Sequence, residues 1–166
     1  MNSELEILLP VYNEVNYLEK LLSGIHKSIN KKIKYNFLIC EDGSTDGTKE
    51  LIKKLKKKYN IKLITGKNRK GFSKAVQDGL KNASSEYVLM MDSDGQCDFK
   101  KILEFWKHRK NYDSINAYRI RRKDFAYRRV FSSICYFIYN ILFQVPLKDP
   151  SFTFIMVNKK VYKSLN

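Results

Sequence analysis

The sequence predicts one α/β domain, a mostly parallel central sheet with helices on both faces. Three observations carry this prediction. Short apolar runs alternate with amphipathic stretches of helical period through the first hundred residues. The fourth run, Tyr87–Met91, is apolar throughout, as strands covered on both faces of a parallel sheet are. The chain has 166 residues, 43% hydrophobic and 13% aromatic, enough for one proper core, and no repeat, linker or low-complexity tract divides it.

The elements follow in order. Leu5–Val11 reads as a short apolar strand, and Leu18, Leu21, Leu22, Ile25 and Ile29 mark one face of the helix after it. Tyr35–Cys40 is the second strand. Asp46 reads as the N-cap of a helix that carries Leu51, Ile52 and Leu55. Ile61–Thr65 is the third strand, and Phe72, Ala75, Val76 and Leu80 mark the next helix, which leads into Tyr87–Met91. Repeated strand–helix alternation gives a Rossmann-like parallel sheet with right-handed crossovers. A helix near Ile102–Trp106, a strand at Ser114–Tyr118 and a basic-then-apolar segment, 119–147, complete the reading. The lysines of Lys53–Lys58 read as the solvated face of a helix.

Charge is distributed unevenly. The net charge is +15; residues 1–100 hold 18 basic and 13 acidic side chains, and residues 101–166 hold 14 and 4. The C-terminal third is therefore expected to meet phosphates, lipid headgroups or another polyanion. Nucleic acid is not the expected partner, because the aromatics are not interleaved with the basic residues in any recognisable RNA or DNA motif. Cys40, Cys97 and Cys135 are odd in number and scattered, which argues against a disulfide framework or a zinc site. His26 and His108 lack metal-ligand spacing. A reducing, cytoplasmic setting is expected, and Met1-Asn2-Ser3-Glu4 shows no basic region leading into an apolar stretch, so no secretory signal is predicted. Val130–Leu147 is uncharged for 18 residues, the lower limit for a spanning helix. Ser133, Tyr136, Asn140 and Gln144 nevertheless form a polar stripe opposite Ile134, Phe137, Ile138, Ile141 and Leu142, and Pro146 ends the run. The segment is expected to be an amphipathic helix, packed on the domain or lying at an interface.

Ligands of open α/β sheets bind outside the carboxyl ends of the strands. Three of those ends run into polar clusters: Pro10-Val11-Tyr12-Asn13-Glu14, Glu41-Asp42-Gly43-Ser44-Thr45-Asp46-Gly47-Thr48, and Asp92-Ser93-Asp94-Gly95-Gln96. All three are expected to open on one sheet edge. Asp92 and Asp94, one residue apart, can address one hard cation, Mg²⁺ or Mn²⁺, that keeps positions open for phosphates. Gly43 and Gly47 permit close backbone approach, and Asp42 can accept from a base N–H of either uracil or guanine. Asn68, Arg69, Lys70 and Gly71 add positive charge after the third strand.

These blocks, with Ala75 and Gly79, resemble the family 2 glycosyltransferases over residues from about Leu8 to Val157. Tyr118-Arg119, then Arg128 with Ser132 four residues on, then Asp149-Pro150, look most like the polyprenyl-phosphate (dolichol-phosphate) sugar transferases. Two features depart from the family pattern: Thr153-Phe154-Ile155 stand where a Gly-aromatic-Arg step is usual, and Asn166 comes earlier than the last residue of most relatives. The resemblance implies the glycosyltransferase-A fold, with a nucleotide-sugar half at 1–97 and an acceptor half at 98–166. It implies that Pro10, Tyr12, Glu14, Asp42, Ser44, Lys70 and Asp92 hold a UDP- or GDP-linked sugar, with Asp42 facing the base. Asp92 and Asp94 would hold the divalent ion on the diphosphate. Asp94, Gln96, Arg119 and Arg128 would form the catalytic set, with Gln96 near the sugar or the metal, and Arg119, Arg128 and Ser132 would grip an acceptor phosphate.

A lipid phosphate is ionised at neutral pH and needs guiding cations rather than a base, whereas a glycan hydroxyl needs a carboxylate to take its proton. The basic stretch Arg119–Arg129 favours the polyprenyl phosphate and peripheral attachment to the cytoplasmic face of a membrane, and the family resemblance implies inversion at the anomeric carbon. A glycan hydroxyl acceptor, and a chain that binds nucleotide-sugar without turnover, are the alternatives. A nucleotidyltransferase would carry a Gly-rich basic loop after the first strand, where this chain has Pro-Val-Tyr-Asn-Glu.

Overall fold

The computed structural model describes residues 3–93, 98–119, 133–138, 141–142, 149 and 152–165. In chain order the elements are β1 (Leu5–Val11), α1 (Leu18–Ile29), β2 (Tyr35–Glu41), α2 (Thr48–Leu55), β3 (Ile61–Thr65), α3 (Phe72–Asn82), β4 (Tyr87–Met91), α4 (Lys100–His108), β5 (Ser114–Asn116), β6 (Phe154–Asn158) and α5 (Lys159–Ser164). The strands form one six-stranded sheet in the order β3-β2-β1-β4-β6-β5. The first four are parallel to one another, while β6 runs antiparallel to both β4 and β5.

Alternation along the strands separates two cores. Leu5, Ile7, Leu9 and Val11 of β1 join α1, α2 and α4 through Leu18, Leu22, Ile25, Ile52, Ile102 and Phe105. On the opposite face Leu8, Leu38, Cys40 and Val88 meet Ala75 and Leu80 of α3 and Tyr162 of α5. Every residue of β1 is buried, so its single charged residue, Glu6, must be satisfied internally. Its carboxylate accepts from Ser84 N (2.7 Å) and Ser85 N (3.0 Å), and Tyr162 donates its hydroxyl to Ser85 O (2.5 Å). This knot ties α5 and the turn before β4 to the amino end of β1.

The first four strands and the helices between them lie where periodicity puts them, with β2 one residue longer than expected. Three features differ from expectation. The fifth strand ends at Asn116 rather than Tyr118, although Ala117 N still donates to Phe154 O (3.0 Å). The N-cap position of α2 is Gly47, at φ 94°, rather than Asp46. Asp46 reaches past it to accept from Thr48 N (3.0 Å). Strand β6 and helix α5 have no counterpart among the expected elements; Phe154–Asn158 finds its partner in β4, far away in sequence.

Gly79 sets the spacing between α3 and the sheet. A Cβ there would stand 2.6 Å from Leu8 Cδ1 and 2.8 Å from Cys40 Sγ, both side chains fully enclosed. Overpacking of this kind costs about 1–3 kcal/mol, against a gain of roughly 1 kcal/mol for alanine over glycine in a helix. Gly79→Ala is therefore expected to lower Tm by about 2–4 °C for a net loss near 1 kcal/mol. A rise in Tm on thermal melting would contradict the close approach.

Candidate active site

Strands β2, β1 and β4 are parallel neighbours, so their carboxyl ends emerge side by side. Pairing of Pro10 with Cys40 and Val11 with Glu41 sets the first two clusters level, and Asp42 N donates to Val11 O (2.9 Å). The loops that follow are laced together. Asn13 adopts φ 57° and accepts on Oδ1 from Thr45 N (2.9 Å), while its own N–H donates to Ser44 Oγ (3.0 Å). Glu14 N donates to Thr48 Oγ1 (3.0 Å), and Val15 N donates to Asp46 Oδ2 (3.1 Å). Desolvation opposes ionisation of Asp46, an exposed residue, but the donors from Thr48 and Val15 outweigh it and hold its carboxyl below the usual range.

These loops enclose a cleft of about 280 Å³ lined by Pro10, Val11, Tyr12, Glu14, Asp42, Arg69, Phe72, Ala75, Asp92 and Ser93. Five sequence-predicted residues (Pro10, Tyr12, Glu14, Asp42 and Asp92) thus share one cavity. Asp42 is buried there and accepts from Lys70 N on Oδ1 (2.7 Å) and from Gly71 N on Oδ2 (2.8 Å). The carboxylate therefore already organises the loop after β3 while lining the cleft. Gly43, at φ 80°, lets that loop close on it: a Cβ would stand 2.8 Å from Arg69 N.

Two predicted residues serve the frame instead. Ser44 is buried, its hydroxyl accepting from Asn13 N and its N–H donating to the Glu41 carboxylate. Lys70 turns its ammonium to Asp78 on α3 (3.0 Å), a bond that, with a second from Lys74, holds Asp78 below the usual carboxylate range. Its neighbour Arg69 supplies the cation of the cleft, stacking 4.1 Å from the Tyr12 ring centroid. The basic block after β3 pointed to this loop; which of its two adjacent cations enters the cleft is decided by Tyr12 and Asp78.

Asp92, just past the end of β4, is among the residues lining the cleft, and a carboxylate is the donor type Mg²⁺ and Mn²⁺ prefer. Asp94 and Gln96 lie outside the described residues, and among the described residues no cluster of three or more His, Cys, Asp or Glu side chains forms a metal centre. The donor chemistry fits a hard cation that takes its other ligands from phosphate oxygens and water.

On the far side of β4, Arg119 donates from Nε to Asp149 Oδ2 (2.8 Å) and from Nη2 to Asp149 Oδ1 (3.1 Å). Tyr136 also donates its hydroxyl to Asp149 Oδ1 (2.9 Å). Arg119 therefore meets a carboxylate here, a pairing that residue types alone did not suggest. Arg128 and Ser132 lie outside the described residues. Tyr136 belongs to the helical residues 133–138, where Ile134, Phe137 and Ile138, with Ile141 and Leu142 beyond, are 50–69% exposed. The expected polar stripe reaches inward at Tyr136, and the apolar side faces out. No helix among the described residues is long and apolar enough to cross a membrane.

Residues 6–165 match the model of the glycosyl transferase family 2. The Bacillus subtilis protein CsbB is 31% identical over 168 residues, covering 97% of this chain and 50% of its own length. A dolichol-phosphate mannosyltransferase of Pyrococcus furiosus is 36% identical over 93 residues, 56% of this chain and 26% of that protein. The chain thus spans half or less of these relatives. Among solved structures, the mannosyltransferase PcManGT of Pyrobaculum calidifontis, in complex with GDP-Man and Mn²⁺, superposes with a TM-score of 0.71 at 18% identity, over 100% of this chain and 47% of that one. This likeness shows the fold, the glycosyltransferase-A architecture.

Proposed function

The chain belongs to the glycosyl transferase family 2, and from that premise we propose that it moves a sugar from a UDP- or GDP-linked donor to a polyprenyl phosphate, inverting the anomeric carbon. The observation that carries the donor half of this reading is the single cleft joining Tyr12, Glu14, Asp42, Arg69 and Asp92. Residues 1–97 hold the donor and residues 98–166 the acceptor. Tyr12 and Arg69 offer a stacking wall for a base, and Asp42 offers an acceptor for a base N–H. Asp92 and Asp94 would hold Mg²⁺ or Mn²⁺, which when bound neutralises charge on the departing diphosphate. An acceptor phosphate oxygen attacks the anomeric carbon opposite the leaving group; one C–O bond forms as the sugar–diphosphate bond breaks, and no proton need be removed. Arg119, Arg128 and Ser132 would steady that phosphate.

The acceptor half draws support from the basic run Arg119–Arg129 and from the exposed apolar residues Ile134, Phe137 and Ile138, a combination that suits the cytoplasmic face of an anionic membrane. A dolichol-phosphate mannosyltransferase among the relatives agrees with this acceptor class.

A thermal-shift panel of UDP- and GDP-sugars, with and without Mn²⁺, tests the donor half. At a hundredfold excess over Kd the correct donor stabilises the fold by about 2.7 kcal/mol, a Tm rise of roughly 5–10 °C. If no nucleotide-sugar moves Tm in the presence of Mn²⁺, the donor assignment fails.

A further inference from the structure

The proposed function gives Arg119 a phosphate to hold, and the structure gives it a carboxylate. We propose that Asp149 is a positioning residue, which fixes the plane of the Arg119 guanidinium for an acceptor phosphate and makes that plane depend on how the helical residues 133–138 are seated, through Tyr136. The proposal rests on the acceptor reading above.

Three observations carry it. Asp149 is almost enclosed, with its side chain 4% exposed, while that of Arg119 is 35% exposed. The buried partner can therefore hold the guanidinium in place, and the outer partner can meet a ligand. The contact is made through Nε and Nη2, one edge of a planar fork. Holding one edge in two charge-assisted bonds sets the plane of the whole fork, since guanidinium geometry is rigid. Arg119 also lies over the Phe152 ring (5.2 Å) and lines a separate cavity of about 340 Å³ that combines aromatic walls at Phe105, Tyr118 and Phe154, suited to the apolar chain next to a phosphate, with the charged Asp98, Lys101 and Glu104.

Tyr136 makes the arrangement more than a local ion pair. Its hydroxyl shares Asp149 Oδ1 with Arg119 Nη2, so one oxygen joins the helical segment to the arginine. The segment's apolar side chains face outward. A shift of the helix against a lipid surface would strain the Tyr136 bond first, and the change would reach Arg119 through the carboxylate they share.

The test uses the full chain, with farnesyl phosphate as a soluble acceptor probe and the nucleotide-sugar found by the thermal-shift panel. Asp149→Asn keeps the shape but removes the charge that orients the fork; KM for farnesyl phosphate is expected to rise about tenfold or more, with kcat and the donor Kd within about twofold of wild type. Tyr136→Phe, which keeps the ring and removes one hydroxyl, is expected to raise the same KM roughly threefold, about the worth of one net hydrogen bond, and to add nothing on top of Asp149→Asn. An unchanged acceptor KM in folded Asp149→Asn overturns the positioning role, as does a donor Kd that moves as far as the acceptor KM. Additive effects of the two substitutions overturn the link through Tyr136. If Asp149→Asn does not fold, Tyr136→Phe decides alone: an unmoved acceptor KM overturns the proposal. If wild type turns over glycan hydroxyls and ignores farnesyl phosphate, the acceptor reading falls and takes this inference with it.

Discussion

Asp92→Ala is expected to lower turnover by about 10²–10³-fold, the usual effect of removing one fixed group that stabilises developing transition-state charge. Asp92 directly follows β4, the strand between β1 and β6, and lines the cleft that Glu14 and Asp42 also line. The same variant is expected to lose the Mn²⁺-dependent part of donor stabilisation and to keep the metal-independent part, since Tyr12, Asp42 and Arg69 are untouched. Steady-state assays and paired melts with and without Mn²⁺ separate the two effects. A variant that melts with the full Mn²⁺ increment would remove Asp92 from the metal, and one with wild-type turnover would remove it from the chemistry.

Gly43→Ala is expected to be among the most damaging small substitutions in the chain. At φ 80° an L side chain costs about 1–2 kcal/mol. The new methyl would also meet Arg69 N at 2.8 Å and Asn68 C at 3.0 Å, backbone atoms that cannot swing aside. Overpacking adds about 1–3 kcal/mol, so the total is roughly 3 kcal/mol and a Tm drop on the order of 10 °C. Gly71 supplies the comparison: it has φ 90° and ψ 160° and nothing within 4 Å of where an alanine methyl would stand, so Gly71→Ala carries only the backbone cost, about 1–3 kcal/mol. Equal melting losses in the two variants would show that close approach of the 68–70 loop is not what requires glycine at 43. Because that loop also supplies Arg69 and the amides that Asp42 grips, Gly43→Ala should weaken donor binding along with stability.

Much of the fold of the first hundred residues was legible because its signals are local. Leu18, Leu21, Leu22, Ile25 and Ile29 repeat at helical spacing and all become buried in α1, and the apolar run Tyr87–Met91 becomes an interior strand. The polar clusters converge because parallel strands must end on one edge. What escaped the sequence is non-local. β6 is a short apolar run whose partner lies far upstream, so no periodicity announces the pairing. The exchange of Lys70 for Arg69 depends on Asp78, on α3, and on Tyr12, from a different loop. Asp149 meets Arg119 across 30 residues of chain, and neither residue type says which of the seven arginines it will choose.

The placement of β6 also bears on how the chain folds as it is made. Until Phe154–Asn158 leaves the ribosome, β4 has one apolar edge with nothing hydrogen-bonded to it, and the whole stretch from Asp92 to Thr153 must be translated in the interval. At roughly 5–20 residues per second that wait lasts several seconds, long compared with the collapse of the preceding strands and helices. A nascent chain stalled in this window displays an open sheet edge of the kind that seeds association between chains. Ribosome-bound intermediates from which β4 has emerged and β6 has not are thus the stage at which a chaperone would matter most.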